Sequence, residues 1–98
     1  MIRHIFIAPV KDGVPAELLE ARIAQMRGLA TAVDGVEGFA LGRNLALLAP
    51  LDAVVMVVDL ADRAAFDALI ASPLHQEISA SAAEAFDVEH FSITQVEI

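Results

Sequence analysis

From Ile2 to Ala8 the chain is β-branched and alternates in type, which predicts a strand with Ile5 and Ile7 on one face and Ile2, His4 and Phe6 on the other. Lys11-Asp12-Gly13 is a turn, and Pro15 suits the first position of a helix, where its missing N–H costs nothing. That helix is predicted to run to about Val33. Leu19, Ile23, Met26, Ala30 and Val33 recur at helical spacing on one stripe, with Glu17, Glu20 and Thr31 off it. Asp34-Gly35 stops it, because glycine tolerates the left-handed conformation that often follows a helix.

A second strand is predicted from Val36 to about Leu47, with Gly38 and Gly42 marking bends or bulges. Pro50-Leu51-Asp52 turns the chain into Ala53–Leu60, an unbroken β-branched strand that is apolar on both faces. Asp62 caps a short helix carrying Phe66, Leu69 and Ile70; Ser72-Pro73 then starts another, with serine as cap and proline at its first position. Leu74, Ile78, Ala82 and Ala85 or Phe86 form its stripe. Val88–Ile98 is the last strand. Phe91 and Ile93 share one parity and Val96 and Ile98 the other, which predicts a bulge or a mid-strand exit.

The order β-α-β-β-α-α-β predicts one α+β domain over residues 1–98: a ferredoxin-like, four-stranded antiparallel sheet with its helices on one face. A sheet with one wet face should alternate apolar and polar residues. Here His4, Phe6, Val54 and Met56 form one set and Ile5, Ile7, Val55 and Val57 the other, and neither is polar. Leaving such side chains in water forgoes about 1.5–3 kcal/mol each. The face without helices therefore calls for a second sheet, and a homodimer supplies one.

Composition sharpens this. An apolar fraction of 57% and a mean hydropathy of +0.63 are high for 98 residues. The longest near-apolar stretch, Leu45–Val58, is broken by Pro50 and Asp52 and falls short of a membrane span. The opening MIRHIFIAPV makes a poor signal peptide. A net charge of −8 with no basic cluster argues against nucleic acid and anionic membranes. The chain has no cysteine, which excludes disulfides and thiolate chemistry and makes the cytoplasm the expected compartment. It also has no Tyr or Trp, so phenol acid catalysis and indole stacking are excluded.

MIRHIFI, KDGV before the first helix, GRN after the second strand and SPLHQEI at the third helix together resemble the stress-responsive dimeric α/β-barrel (Dabb) domain family, over nearly the whole chain. That family shows an M-x-x-H-I/V opening and an H/S-P-x-H element. The resemblance implies a ferredoxin-like protomer whose sheet packs on that of a twin as a dimeric α/β barrel. A few members resemble polyketide cyclases, which use the histidine of the P-x-H element as base with the first-strand histidine nearby. These correspond to His75 and His4. This chain departs from the cyclase pattern at Leu69, where a tyrosine is expected, and at Val54, where a histidine is expected.

His75 falls at the third position of its helix, where the positive end of the helix dipole disfavours an imidazolium and leaves a neutral ring able to act as base. The alternative is that it satisfies backbone groups at the helix start. His4 shares a face with Phe6 and is either a hydrogen-bonded core residue or the partner of His75. Two histidines without a carboxylate at ligand spacing make a weak metal site. His90 is expected at the surface or on a dimer face. Phe6, Ile23, Met26, Phe39, Met56, Leu69, Ile78 and Phe86 are the expected lining of an apolar ligand cavity, or else an ordinary packed core. Arg43-Asn44 and Asp59 are expected in intersubunit hydrogen bonds or in solvent. Glu17, Glu20, Asp62 and Asp67 read as solvated faces or caps.

Three functions fit. The first is a homodimeric binder of a small, mostly apolar molecule, acting as a cofactor-independent lyase or cyclase with His75 as base and His4 beside it. The second is a non-catalytic stress-responsive dimer with a filled core. The third is a cofactor-independent monooxygenase, disfavoured by the absence of Trp and Tyr.

Overall fold

The apolar, β-branched segments form the sheet as their pattern requires. A computed structural model describes all 98 residues: β1 (Ile2–Pro9), α1 (Ala16–Arg27), β2 (Val36–Arg43), β3 (Ala53–Leu60), α2 (Arg63–Ala71), α3 (Pro73–Ser81) and β4 (Ser92–Glu97). The four strands are antiparallel in the order β2-β3-β1-β4. This is a ferredoxin-like α+β fold, with the second helical segment split at Ser72.

Register sorts the side chains into cross-strand rows. On one face lie Phe39–Val58–His4–Gln95 and Leu41–Met56–Phe6–Ile93. The core is on this side: Val54, Val58 and Leu60 are wholly buried together with Met26, Leu29 and Leu69 from the helical segments. On the other face lie Ala40–Val57–Ile5–Thr94, Gly42–Val55–Ile7–Ser92 and Gly38–Asp59–Arg3–Val96. No helix covers this second face. Its middle is an apolar strip of Ile5, Ile7, Val55 and Val57, each half-buried. Small residues flank it on β2 and hydroxyl residues on β4.

Several boundaries differ from expectation. Pro15 is the residue before α1, its carbonyl accepting from the amides of Leu18 and Leu19 at 3.1 Å each. The α-helix ends at Arg27 and tightens into a 3₁₀ turn, Gly28–Thr31. A tighter turn advances the buried stripe, so Leu29 is buried where Ala30 was expected. Gly28 sits there because a Cβ would come within 2.8 Å of the Leu74 side chain. Gly35 ends the segment with φ +90°, and a Cβ there would meet that of Ala65 at 2.7 Å.

β2 stops at Arg43 rather than near Leu47, because Asn44 closes the following loop on itself. Its amide nitrogen donates to the Leu51 carbonyl at 2.8 Å, and its side-chain oxygen accepts from the Ala46 amide at 3.1 Å. A register shift between Val36 and Gly38 is the bulge expected near Gly38; none occurs at Gly42. Val88–His90 is a 3₁₀ turn, and β4 pairs with β1 in unbroken register, so the expected bulge is absent. Its mixed parity places Ile93 on the helix side and Val96 on the bare side.

Several polar side chains pair within the chain, while the buried Nε of Arg22 has no partner. Arg3 makes a paired contact with Asp59 at 2.8 and 2.9 Å. Arg43 pairs with Asp52. Arg43 and Asn44 are exposed to solvent, one of the two roles expected for them, and Asp59 is half-buried beside Arg3. Asp62 caps α2 by accepting from the Ala65 amide at 2.9 Å, and Asp67 pairs with Arg63. No helix is long and apolar enough to cross a membrane.

Candidate functional site

Ser72 sets the position of His75. The serine is buried, its hydroxyl donates to the Leu69 carbonyl at 2.7 Å, and its oxygen accepts from the His75 amide at 3.3 Å. One side chain thus ties the end of α2 to the start of α3, with Pro73 at the first helical position. The half-buried His75 ring lies against Ser79 one turn on, with Nδ1 3.5 Å from Oγ. The ring's contact is thus with a hydroxyl, while the residue's backbone N–H serves the cap.

His4 is set by the sheet. It is 4% exposed and faces the helices. The Phe66 ring packs against it in a T-shaped arrangement, at 5.5 Å between centroids and an interplanar angle of 71°. Gln95, its register partner on β4, brings Nε2 to 3.0 Å from His4 Nδ1.

His75 is near enough to His4 for a charge on it to be felt there. Burial lowers the pKa of His4, and a charge on His75 would lower it further. Burial likewise lowers that of His75. Both shifts favour the neutral ring, a state in which an imidazole can accept one proton and donate another. No group of three or more His, Asp or Glu side chains with metal-binding geometry occurs anywhere in the chain. His90 stands apart, exposed, its Nδ1 2.7 Å from Asp87.

The eight residues expected to line a cavity fall into two groups. Met26, Met56, Leu69 and Phe86 are buried in the packed core, and Phe6, Ile23, Phe39 and Ile78 pack against it half-buried. Phe6 stacks edge-on with Phe91 at 4.8 Å between centroids. A cleft of about 290 Å³ lies at the other end of β1, among Lys11, Asp12, Glu20, Arg43 and Asp52, and neither imidazole lines it. Val54 and Leu69, the positions that depart from the cyclase pattern, are also in the core.

Gln95 was not singled out by sequence. The register of two strands 91 residues apart places it opposite His4, and no local pattern carries that information. A polar residue at the apolar parity of the last strand was the available signal.

The family model for the stress responsive A/B barrel domain matches residues 2–96. Among solved structures, a dimeric ferredoxin-like protein of unknown function from Thermobifida fusca is similar at 26% identity and TM-score 0.85, covering 99% of this chain and 90% of that one. A dimeric ferredoxin-like protein of unknown function from Jannaschia matches at 18% identity and TM-score 0.77 over 100% of both chains. One from Bacteroides fragilis, also dimeric and of unknown function, matches at 14% identity and TM-score 0.76, covering 99% of this chain and 95% of that one. No curated protein matches.

Proposed function

The chain belongs to the stress responsive A/B barrel domain family, and on that premise we propose that it is a cytoplasmic homodimer that binds a small, mostly apolar molecule beside His4 and His75 and moves a proton on it without a cofactor. The dimer forms through the bare face of the sheet. The apolar strip Ile5, Ile7, Val55 and Val57 supports this, as does the dimeric state of the similar Thermobifida fusca protein.

What supports the chemical reading is that His4, packed against Phe66, and His75, from a distant part of the chain, are near enough for a charge on His75 to act on His4, with burial favouring the neutral form of both. The reaction that suits them is proton abstraction next to a carbonyl. His75 takes the proton; the C–H electron pair moves onto the carbonyl oxygen; a hydrogen bond from His4 steadies the charge that develops there. Phe6, Ile23, Phe39 and Ile78, the half-buried members of the apolar set, are the side chains open to a ligand, with Met26, Met56, Leu69 and Phe86 behind them.

A second reading, a non-catalytic dimer, is favoured by the filled core. The experiment separating the two is a screen of β-keto and polyketide-like compounds for binding and turnover by wild type and His75→Ala. The catalytic reading expects turnover in wild type, a loss of 10²-fold or more in the variant, and an unchanged oligomeric state. Turnover that survives the substitution sinks it.

A further inference from the structure

We infer that Gln95 is a positioning residue that fixes the tautomer of His4, holding its proton on Nε2 and so making His4 the donor of the histidine pair. The inference rests on the reading of that pair as the reactive site. The geometry itself stands without it.

A side-chain amide offers two kinds of atom, and they are not interchangeable toward an imidazole. The NH₂ group only donates, and the carbonyl oxygen only accepts. Gln95 presents Nε2 to His4 Nδ1 at 3.0 Å. The nitrogen that receives that bond must carry a lone pair. A neutral ring with a bare Nδ1 has its proton on Nε2, and an imidazolium, with hydrogen on both nitrogens, cannot accept at all. One contact therefore selects among three states of the ring: it permits the Nε2–H tautomer and opposes the other two.

The fold enforces the contact. His4 and Gln95 are direct register partners across β1 and β4, on the same face, and that register is continuous through Ile2↔Glu97 and Phe6↔Ile93. His4 is 4% exposed, so water offers its Nδ1 little alternative. The other groups packed against the ring favour the neutral form or leave it unopposed. Phe66 on α2 packs an apolar ring against it at 5.5 Å between centroids. His75 is the titratable group on the helix side and disfavours a charge on His4. The Arg63 guanidinium lies over the Phe66 ring at 5.9 Å from its centroid and adds positive charge on that side.

The consequence is a division of labour. With His4 committed to donation through Nε2–H, His75 is left as the proton acceptor. Its contact with Ser79, through a hydroxyl able to donate or accept, commits the ring to neither tautomer. Two chemically identical side chains acquire unlike roles because one faces an amide and the other a hydroxyl.

The test is long-range ¹H–¹⁵N NMR on protein carrying ¹⁵N-labelled histidine, with His75→Gln and His90→Gln used to assign the rings. At neutral pH the His4 ring should show a bare Nδ1 and a protonated Nε2. Gln95→Glu replaces a donor by an acceptor of opposite demand. It should move the proton to Nδ1 and tighten proton binding by His4 about tenfold or more. Gln95→Leu should leave a mixture of tautomers. A wild-type His4 protonated at Nδ1 overturns the inference by itself, with no variant needed. So does a Gln95→Glu protein whose His4 keeps the wild-type tautomer and titration. These spectra need no ligand, so absence of turnover in the compound screen fails the chemical reading and leaves the tautomer assignment standing.

Discussion

Val57→Glu should convert the protein from a dimer into a folded monomer. Val57 lies in the middle row of the bare face, between Ala40 on β2 and Ile5 on β1. It is half-buried in the single chain, so covering it yields roughly 1 kcal/mol per protomer, about half of the full value for such a side chain. A carboxylate in its place must be stripped of water in the dimer, at an effective cost of several kcal/mol per ion. Over two protomers the loss is at least about 5 kcal/mol, or between three and four decades in dissociation constant. In the monomer the same carboxylate points into water, and the price is a lost strand preference of about 1 kcal/mol at most. Sedimentation velocity through the micromolar range reads the mass, and circular dichroism reads the fold. The expected result is a wild-type species of two 10.4 kDa chains and a variant of one, both with the same secondary structure. A variant that remains dimeric shows that another surface makes the contact. A wild type that sediments as one chain removes the dimer altogether.

Three further outcomes follow from the helical side. Ser72→Ala removes the cap on α3 and leaves the junction with α2 unbonded; it should cost about 1–2 kcal/mol in urea unfolding, and an unchanged midpoint would show that Ser72 does not tie the two helices. Gly35→Ala forces a Cβ to 2.7 Å from that of Ala65 at φ +90°, and thermal unfolding should report a loss of about 1–3 kcal/mol. The His4 pKa is lowered by burial and by His75, so the unfolded chain binds that proton more readily than the folded one. Stability should therefore hold above the ordinary histidine range and fall as pH drops from there toward the depressed folded value, and His4→Leu should flatten that slope in chemical denaturation below about pH 7.

Strand β3 and the starts of α2 and α3 were legible in the chain because local chemistry alone decides them: a β-branched run, an aspartate cap, a Ser-Pro cap. The errors lie where distant contacts decide. α1 was expected to keep its period to Val33, but the packing of Leu74 against Gly28 tightens its last turn and brings Leu29 inward. β2 was expected to reach Leu47, since Leu45 and Leu47 look like strand residues; the Asn44 side chain captures the loop first. His4 and His75 were visible as residue types at suggestive places, and the family resemblance linked them. Gln95 was not visible, because only the pairing of the first strand with the last brings it to His4.

The distribution of exposed apolar area bears on what a twin molecule would cover in the proposed dimer. Ile5, Ile7, Val55 and Val57 are half-buried, and covering all of them in two protomers yields on the order of 8 kcal/mol. Association itself costs roughly 4–15 kcal/mol in lost freedom, so a contact limited to the strip barely offsets its own cost. Larger gains sit elsewhere. Leu45, Leu47 and Leu48 are 79%, 83% and 102% exposed, and Ile93, Val96 and Ile98 on and beside the β4 edge are about half exposed. Full burial of each leucine is worth about twice what each strip residue has left. The bonds from Asn44 and the Arg43–Asp52 pair fix the leucine loop in this outward form within the single chain, so a partner meets it already ordered. In the proposed dimer the bare face would supply the flat centre, and burial of the leucine loop with Val96 and Ile98 would add apolar area beyond the strip.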